Sequence, residues 1–291
     1  MGLIRSIRRF VGNLHGGKKV LFFAALIGIC VIALLFAVFF QFFYKYSESD
    51  PLMIGINISA QKTIEELETL EAEFNGLFTN EIHINSENVK VNKIQPNNSL
   101  VYTGYNLVND DENYYSVNAQ VPVINIDNDT AKTINSQIKT EFYDKANQVM
   151  RTKEGKTVYL VSYVAYVNKD VLSVVVKSSL KEEGKSEKVM VRAYNYSIPS
   201  NELITFDDFI KLRGLTPEEV QAKINSSIKE ADHNAKIIAE QFGNLYERDL
   251  NSSIYKVENA ETYFINQEGY LYLVYAYGNN DYTNEMDVIV F

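Results

Sequence analysis

Residues 115–149 read YSVNAQVPVINIDNDTAKTINSQIKTEFYDKANQV. From Tyr115 to Ile126 apolar and polar side chains alternate with many β-branched residues, the pattern of a strand with one buried face. Pro122 interrupts the donors of that strand and marks an edge or a bulge. Asp127, Asn128, Asp129 and Thr130 then supply helix N-cap chemistry. Ile134, Ile138, Phe142, Ala146 and Val149 follow on one face of a helix of about five turns. A strand feeding an amphipathic helix is therefore the unit from which the rest is read.

Three alternating stretches come next, at 158–167, 171–179 and 189–197. The turn sequences Asn168-Lys169-Asp170 and Glu182-Glu183-Gly184-Lys185 separate them and have hairpin chemistry. Thr205 with Asp207 and Asp208 opens a short helix, and Thr216-Pro217-Glu218-Glu219 opens a longer one running to about residue 241. Short strands at 262–266, 270–277 and 286–291 close the chain. The expected class is α+β: antiparallel β-meander sheets with two packed helices, preceded by a single transmembrane helix.

That transmembrane helix is read in residues 20–40, VLFFAALIGICVIALLFAVFF, which hold no charged or amide side chain from Val20 to Phe40. At 1.5 Å per residue the run spans about 31 Å, the thickness of a bilayer's hydrocarbon core. Arg5, Arg8, Arg9, Lys18 and Lys19 precede it without a single acid, which places the N-terminus in the cytoplasm. Phe42, Phe43, Tyr44 and Tyr46 form an aromatic belt at the outer interface. The run is too long for a signal-peptide core, and no small-residue cleavage site follows it. Cys30 lacks the small preceding residue of a lipoprotein site and reads as a buried membrane thiol.

The expected organisation is a cytoplasmic tail at 1–19, the span at 20–40, and a membrane-proximal region at 41–113. The folded extracytoplasmic domain then covers 114–291. The membrane-proximal region contains an amphipathic helix with Ile64, Leu67, Leu70, Phe74 and Leu77 on one face, a stop at Gly76, and one or two short strands beyond it.

Charge separates these regions. The chain has 28 Lys and Arg against 37 Asp and Glu; removing the six basic residues of 1–45 leaves 22 against 37, a net of −15 for residues 46–291. Such a balance disfavours nucleic acid and favours cationic partners at low salt. No cysteine occurs outside the span, so the domain depends on its hydrophobic core rather than on disulfides. Abundant Asn, Lys and Ile without Trp fit an AT-rich bacterial genome.

Catalytic chemistry is sparse. His83 and His233 stand alone beyond the membrane, without the spacing of a metal site. No phosphate loop, serine elbow or cysteine nucleophile is present. Asp207 and Asp208 sit at a helix start, where carboxylates serve the cap and the dipole. The exposed run Asp110, Asp111, Glu112 reads as a solvated loop. The expectation is a protein that is not an enzyme and that uses no metal or cofactor.

The distinctive chemistry is aromatic. The chain has 20 Tyr and no Trp, and Tyr270, Tyr272, Tyr275, Tyr277 and Tyr282 crowd the last hairpin. On a strand Tyr270 and Tyr272 share one face, and Tyr275 and Tyr277 take the other. Tyrosine is favoured in contact surfaces because it buries a large area at low entropy cost. Rings covering a half-exposed sheet produce the same pattern without a ligand.

Residues 115–126 with the NDTAKTINSQI helix resemble the first half of the extracytoplasmic domain of RsiV-type anti-sigma factors, which are lysozyme receptors. Residues 192–210, RAYNYSIPSNELITFDDFI, are similar to that family's strand and turn, and residues 263–282, YFINQEGYLYLVYAYGNNDY, to its closing strand. The same ectodomain precedes the deacetylase domain of PdaC-type wall enzymes. The resemblance covers about 115–291. At 276–282 the sequence AYGNNDY replaces the family's proline–tyrosine steps. Together with the tyrosine density, the resemblance implies a ligand-contacting surface at Tyr275, Tyr277, Asn279, Asn280, Asp281 and Tyr282.

The expected function is thus a single-pass extracytoplasmic recognition or sensor protein of the cell membrane. Its ligand would be a cell-wall component or a basic, lysozyme-like secreted protein. A complete anti-sigma factor is the alternative, opposed by residues 1–18 being too short to hold a sigma factor. A cell-envelope enzyme is a further alternative, opposed by the missing catalytic constellation.

Overall fold

Residue 82 begins a strand that belongs to the same sheet as residues 115–124, so the folded unit starts well before residue 114. The computed structural model describes residues 72–85, 89–242, 246–278 and 284–291. The expected span at 20–40 and the helix positions Ile64, Leu67 and Leu70 lie outside them. Among the described residues no helix is long and apolar enough to cross a membrane.

The strands are β1 (Ile82–Asn85), β2 (Val101–Asp111), β3 (Tyr115–Ile124), β4 (Thr157–Asn168), β5 (Val171–Glu182), β6 (Lys188–Ser197) and β7 (Glu202–Leu203). They form one sheet in the order β2-β3-β4-β5-β6-β7, with β1 pairing along the second half of β4. A smaller antiparallel sheet holds β8 (Tyr263–Ile265), β9 (Leu271–Ala276) and β10 (Met286–Val290), with β9 in the centre. The helices are α1 (Asp129–Ile138), α2 (Asp144–Val149), α3 (Phe206–Leu212) and α4 (Pro217–Phe242). The α+β class holds, and antiparallel pairing dominates.

Two departures from the expected meander have clear causes. β3 and β4 are parallel, because the helical crossover between them returns the chain to the end of the sheet where β3 began. Only β4 to β7 form the antiparallel meander. The crossover is also not one α-helix: Lys139–Tyr143 is a π turn between α1 and α2. Ile134, Ile138, Phe142 and Ala146 are spaced four apart, and three such steps drift by about 120° around an ideal helix of 3.6 residues per turn. The wider turn absorbs that drift and keeps all four side chains buried against the sheet.

The 79–113 region holds an eleven-residue strand, β2, where only short strands were expected. Its register explains Pro122. Thr103 opposes Pro122 and Tyr105 opposes Val121, so Gly104 is an extra residue bulged out of β2. Pro122 also lies beyond Ala119, where β3 stops pairing with β4, so its missing N–H breaks no bond to β4. The β3 edge left open there is closed at Ile124 by the Asn135 amide of α1, which accepts from Ile124 N and donates to Ile124 O, each at 2.8 Å. A Cβ on Gly104 would lie 2.1 Å from Val123 Cγ2. Gly104→Ala is therefore expected to lose about 1–3 kcal/mol through overpacking, read by urea unfolding; a loss below about 0.5 kcal/mol would mean that Val123 simply turns aside.

Strand alternation builds four layers. On β4, Tyr159, Val161, Tyr163, Ala165 and Val167 face α1 and α2, while Val164 and Tyr166 face the small sheet. On β9, Val274 packs against the large sheet, and Leu271, Leu273 and Tyr275 pack with Phe209 of α3 and Val220, Ile224 and Ile228 of α4. Phe264 lies between the sheets, its ring 4.7 Å from Tyr272, 5.9 Å from Tyr166 and 6.4 Å from Phe74. Phe74 belongs to the helical turn at 72–76, so this turn too packs on the domain core. A buried polar seam ties the sheets: Ser173 Oγ donates to Asn195 Oδ1 at 2.7 Å, and Asn195 Nδ2 donates to Tyr263 O at 2.7 Å.

Candidate functional site

β1 and β3 run parallel to β4, and β6 shares their direction through two antiparallel steps. The chain leaving the carboxyl end of each of these four strands lines one open cleft of about 760 Å3. Residues 89–92 follow β1, Ile126, Asp127 and Asn128 follow β3, Lys169 and Asp170 follow β4, and Ile198, Pro199 and Asn201 follow β6. Crevices at the carboxyl ends of strands, beside a helix N-terminus, are where α/β sheets commonly bind ligands.

The cleft's framework is held by asparagines. Asn128 caps α1, its Oδ1 accepting from Ala131 N at 2.9 Å. Its Nδ2 donates to the hydroxyl of Tyr196 at 2.6 Å, and that hydroxyl donates to Asn201 Oδ1 at 2.6 Å. Asn201 sits at φ 59°, a left-handed conformation that asparagine tolerates better than most residues. Asp127 N donates to Asn92 O at 2.8 Å and fixes the segment after β1 to the start of α1. Behind them Asn125, almost fully buried, accepts from Gln95 N and donates to Gln95 O, both at 2.8 Å.

The walls are apolar at Val91, Ile126, Ile198 and Pro199, and the rim carries Lys90, Lys169, Asp127 and Asp170. Asp127 pairs with Lys132 at 2.8 Å. Lys90 and Lys169 have neither an ion pair nor a hydrogen bond to any described residue. Within residues 46–291, whose net charge is −15, the cleft is locally balanced, two lysines facing two aspartates, and among the described residues both ammonium groups are unpaired. The lining includes no His, Cys or Ser, and among the described residues no group of three His, Cys, Asp or Glu could hold a metal. What these side chains supply is hydrogen bonding, charge and apolar contact.

The expected tyrosine surface is arranged differently. Tyr275 is 8% exposed and Tyr277 3% exposed. β9 is the central strand of its sheet, with the large sheet on one face and α3 and α4 on the other, so rings on either face are buried. Tyr277 stacks on Tyr246 at 4.6 Å and donates to Asp287 Oδ2 at 2.7 Å. Its hydroxyl also lies 3.0 Å from that of Tyr255, whose acidity burial weakens, raising its pKa to about 12. Arg248 forks onto Asp287, Nε to Oδ2 at 2.8 Å and Nη2 to Oδ1 at 2.9 Å. Tyr275 and Tyr277 are thus core side chains, not the exposed anchors that the hairpin's composition implied. Asn279, Asn280, Asp281 and Tyr282 lie outside the described residues.

Asp208 and Glu219 are caps. Asp208 accepts from Thr205 N and Oγ1, and Glu219 accepts from Thr216 N and Oγ1, contacts that hold both carboxyls below their ordinary pKa. His83 stacks on Tyr166 at 5.5 Å. No local feature of the sequence marks the cleft: the turn bearing Pro199 and Asn201 meets the Asn128 cap only through the pairing of strands distant in the chain.

No family model matches the chain, and no curated protein matches it. Among solved structures it is similar to a DUF3298 family protein from Pseudomonas aeruginosa, at 12% identity and a TM-score of 0.38, over 62% of this chain and 82% of that one. It is also similar to a DUF3298 family member from Bacteroides fragilis, at 13% identity and a TM-score of 0.32, over 55% of this chain and 74% of that one.

Proposed function

We propose that this protein is a single-pass recognition module anchored by residues 20–40, which holds its folded domain outside the cell and binds a cell-envelope ligand in the strand-end cleft. The cleft is the observation that carries this reading. Its volume of about 760 Å3 lies within the range of roughly 300–1,000 Å3 typical of small-ligand sites. Its asparagine framework, apolar walls and unpaired lysines suit a polar ligand bearing amides and a carboxylate, as wall peptides do. The 21-residue apolar run with its basic N-terminal flank supports the anchoring.

Cells displaying the full chain are expected to bind a fluorescent muropeptide at their surface and to lose that binding after external protease. Lys90→Ala with Lys169→Gly should weaken it about tenfold, close to 1.4 kcal/mol, without altering folding. Lys169 sits at φ 51°, so glycine is tolerated there. Undiminished affinity in the double variant would place the ligand elsewhere, and protease-resistant binding would sink the topology.

A further inference from the structure

Among the described residues β2 is the outer strand of the large sheet and pairs only with β3. Among the described residues, nothing bonds to the backbone groups along its free edge. At about 3.4 Å per residue its eleven residues present a long row of unpaired N–H and C=O groups. Natural sheets usually blunt such an edge with lysine, proline, shortness or a cover. Here residues 101–109, VYTGYNLVN, contain no charge and no proline, and the Gly104 bulge is the one interruption.

The opposite edge of the same sheet is treated otherwise. β7 has only two residues, and β6 is covered where Ile204 N donates to Asn195 O and Thr262 Oγ1 donates to Val191 O. β2 is also anchored to the core on its inner face. Tyr105 and Leu107 pack toward the core, with Tyr105 4.5 Å from Tyr143 of the π turn. Asn106 and Val108 point to the other face and are exposed, Val108 by 65%.

We infer that β2 is a protein-docking edge, which takes an extended cationic segment of a partner as an added strand of the large sheet. The occupant follows from charge. The strand ends in Asp110 and Asp111, Glu112 follows, and Lys153 is the one cation ion-paired to any of the three among the described residues, 4.0 Å from Asp111. Residues 46–291, which include this edge, carry a net charge of −15. A basic segment gains from that field, and a second copy of the same acidic domain is repelled by it. The surface is independent of the strand-end cleft and stands whether or not the cleft binds a ligand.

The test uses the full chain in nanodiscs and a ten-residue peptide of alternating lysine and valine. Hydrogen exchange should slow at alternate β2 amides, those facing the free edge, when the peptide is added. The same peptide with every second amide N-methylated on its pairing edge should bind at least tenfold more weakly. Val108→Lys should weaken binding at least fivefold by adding like charge at the edge. Asp110→Asn should lower affinity at low salt and flatten its salt dependence, a readout that a folding defect would not produce. Equal binding of the N-methylated peptide, or protection confined to residues outside β2, would overturn the proposal. Concentration-dependent protection of β2 without peptide would also overturn it, by making a second copy the occupant.

Discussion

Arg248→Ala is expected to cost about 3–5 kcal/mol of folding stability, the loss typical of breaking a buried ion pair from one side. The Arg248 side chain is 4% exposed and that of Asp287 11% exposed. Their forked pair joins the segment at 246–249 to β10, and Asp287 also accepts from Tyr277. Alanine removes the guanidinium from beneath the Tyr246 and Tyr277 rings and leaves the carboxylate buried with one hydroxyl for company. Adding Asp287→Asn should recover part of the loss, because the stranded charge disappears while an acceptor for Tyr277 remains. Urea unfolding of residues 59–291 reads both. A single-variant loss under 1 kcal/mol would show that water reaches this pair as freely as it reaches a surface bridge.

A fragment starting at residue 114 should show no cooperative unfolding transition, whereas one starting at residue 59 should show one. Residues 59–291 form one compact unit. Cutting at 114 removes β2, β1 and Phe74 together. Leu100 and Val101 leave the core, and Val117, Ala119 and Val121 lose their cover along β3. Phe264 loses a ring neighbour between the sheets. Each large core truncation costs about 3–5 kcal/mol, against a total stability of only about 5–15 kcal/mol for a domain. Circular dichroism and urea titration of the two fragments decide the matter; a sharp transition in the shorter one would make the N-terminal strands an accessory layer.

Much of the secondary structure could be read because its causes are local. Thr205 with Asp208 and Thr216 with Glu219 are capping boxes three residues wide, and both form. The turn at Lys169 and Asp170, and the one at Gly184, join hairpins between strands whose alternation was plain. β2 is hard to read locally because past the Gly104 bulge only Tyr105 and Leu107 are apolar on its inner face, Asn109 and Asp111 continue that same face, and apolar Val108 stands on the exposed one. The π turn was present as a signal, in the fourfold spacing of Ile134, Ile138, Phe142 and Ala146, but a tolerance of three or four residues per turn hid it.

The amino-acid sequence by itself determined the α+β class, the helix starts, the acidic character of residues 46–291 and the face that Tyr275 and Tyr277 share. All of these follow from neighbours a few residues apart or from simple counting. Only the tertiary structure decided that α3 and α4 cover that face, because alternation says which side chains share a side and not what lies upon it. It also decided that Lys90, Asn128, Lys169 and Asn201 meet in one cleft. Their encounter depends on β3 pairing parallel to β4, a contact between residues about forty apart whose helical crossover carries the chain back to begin a second strand in the same direction.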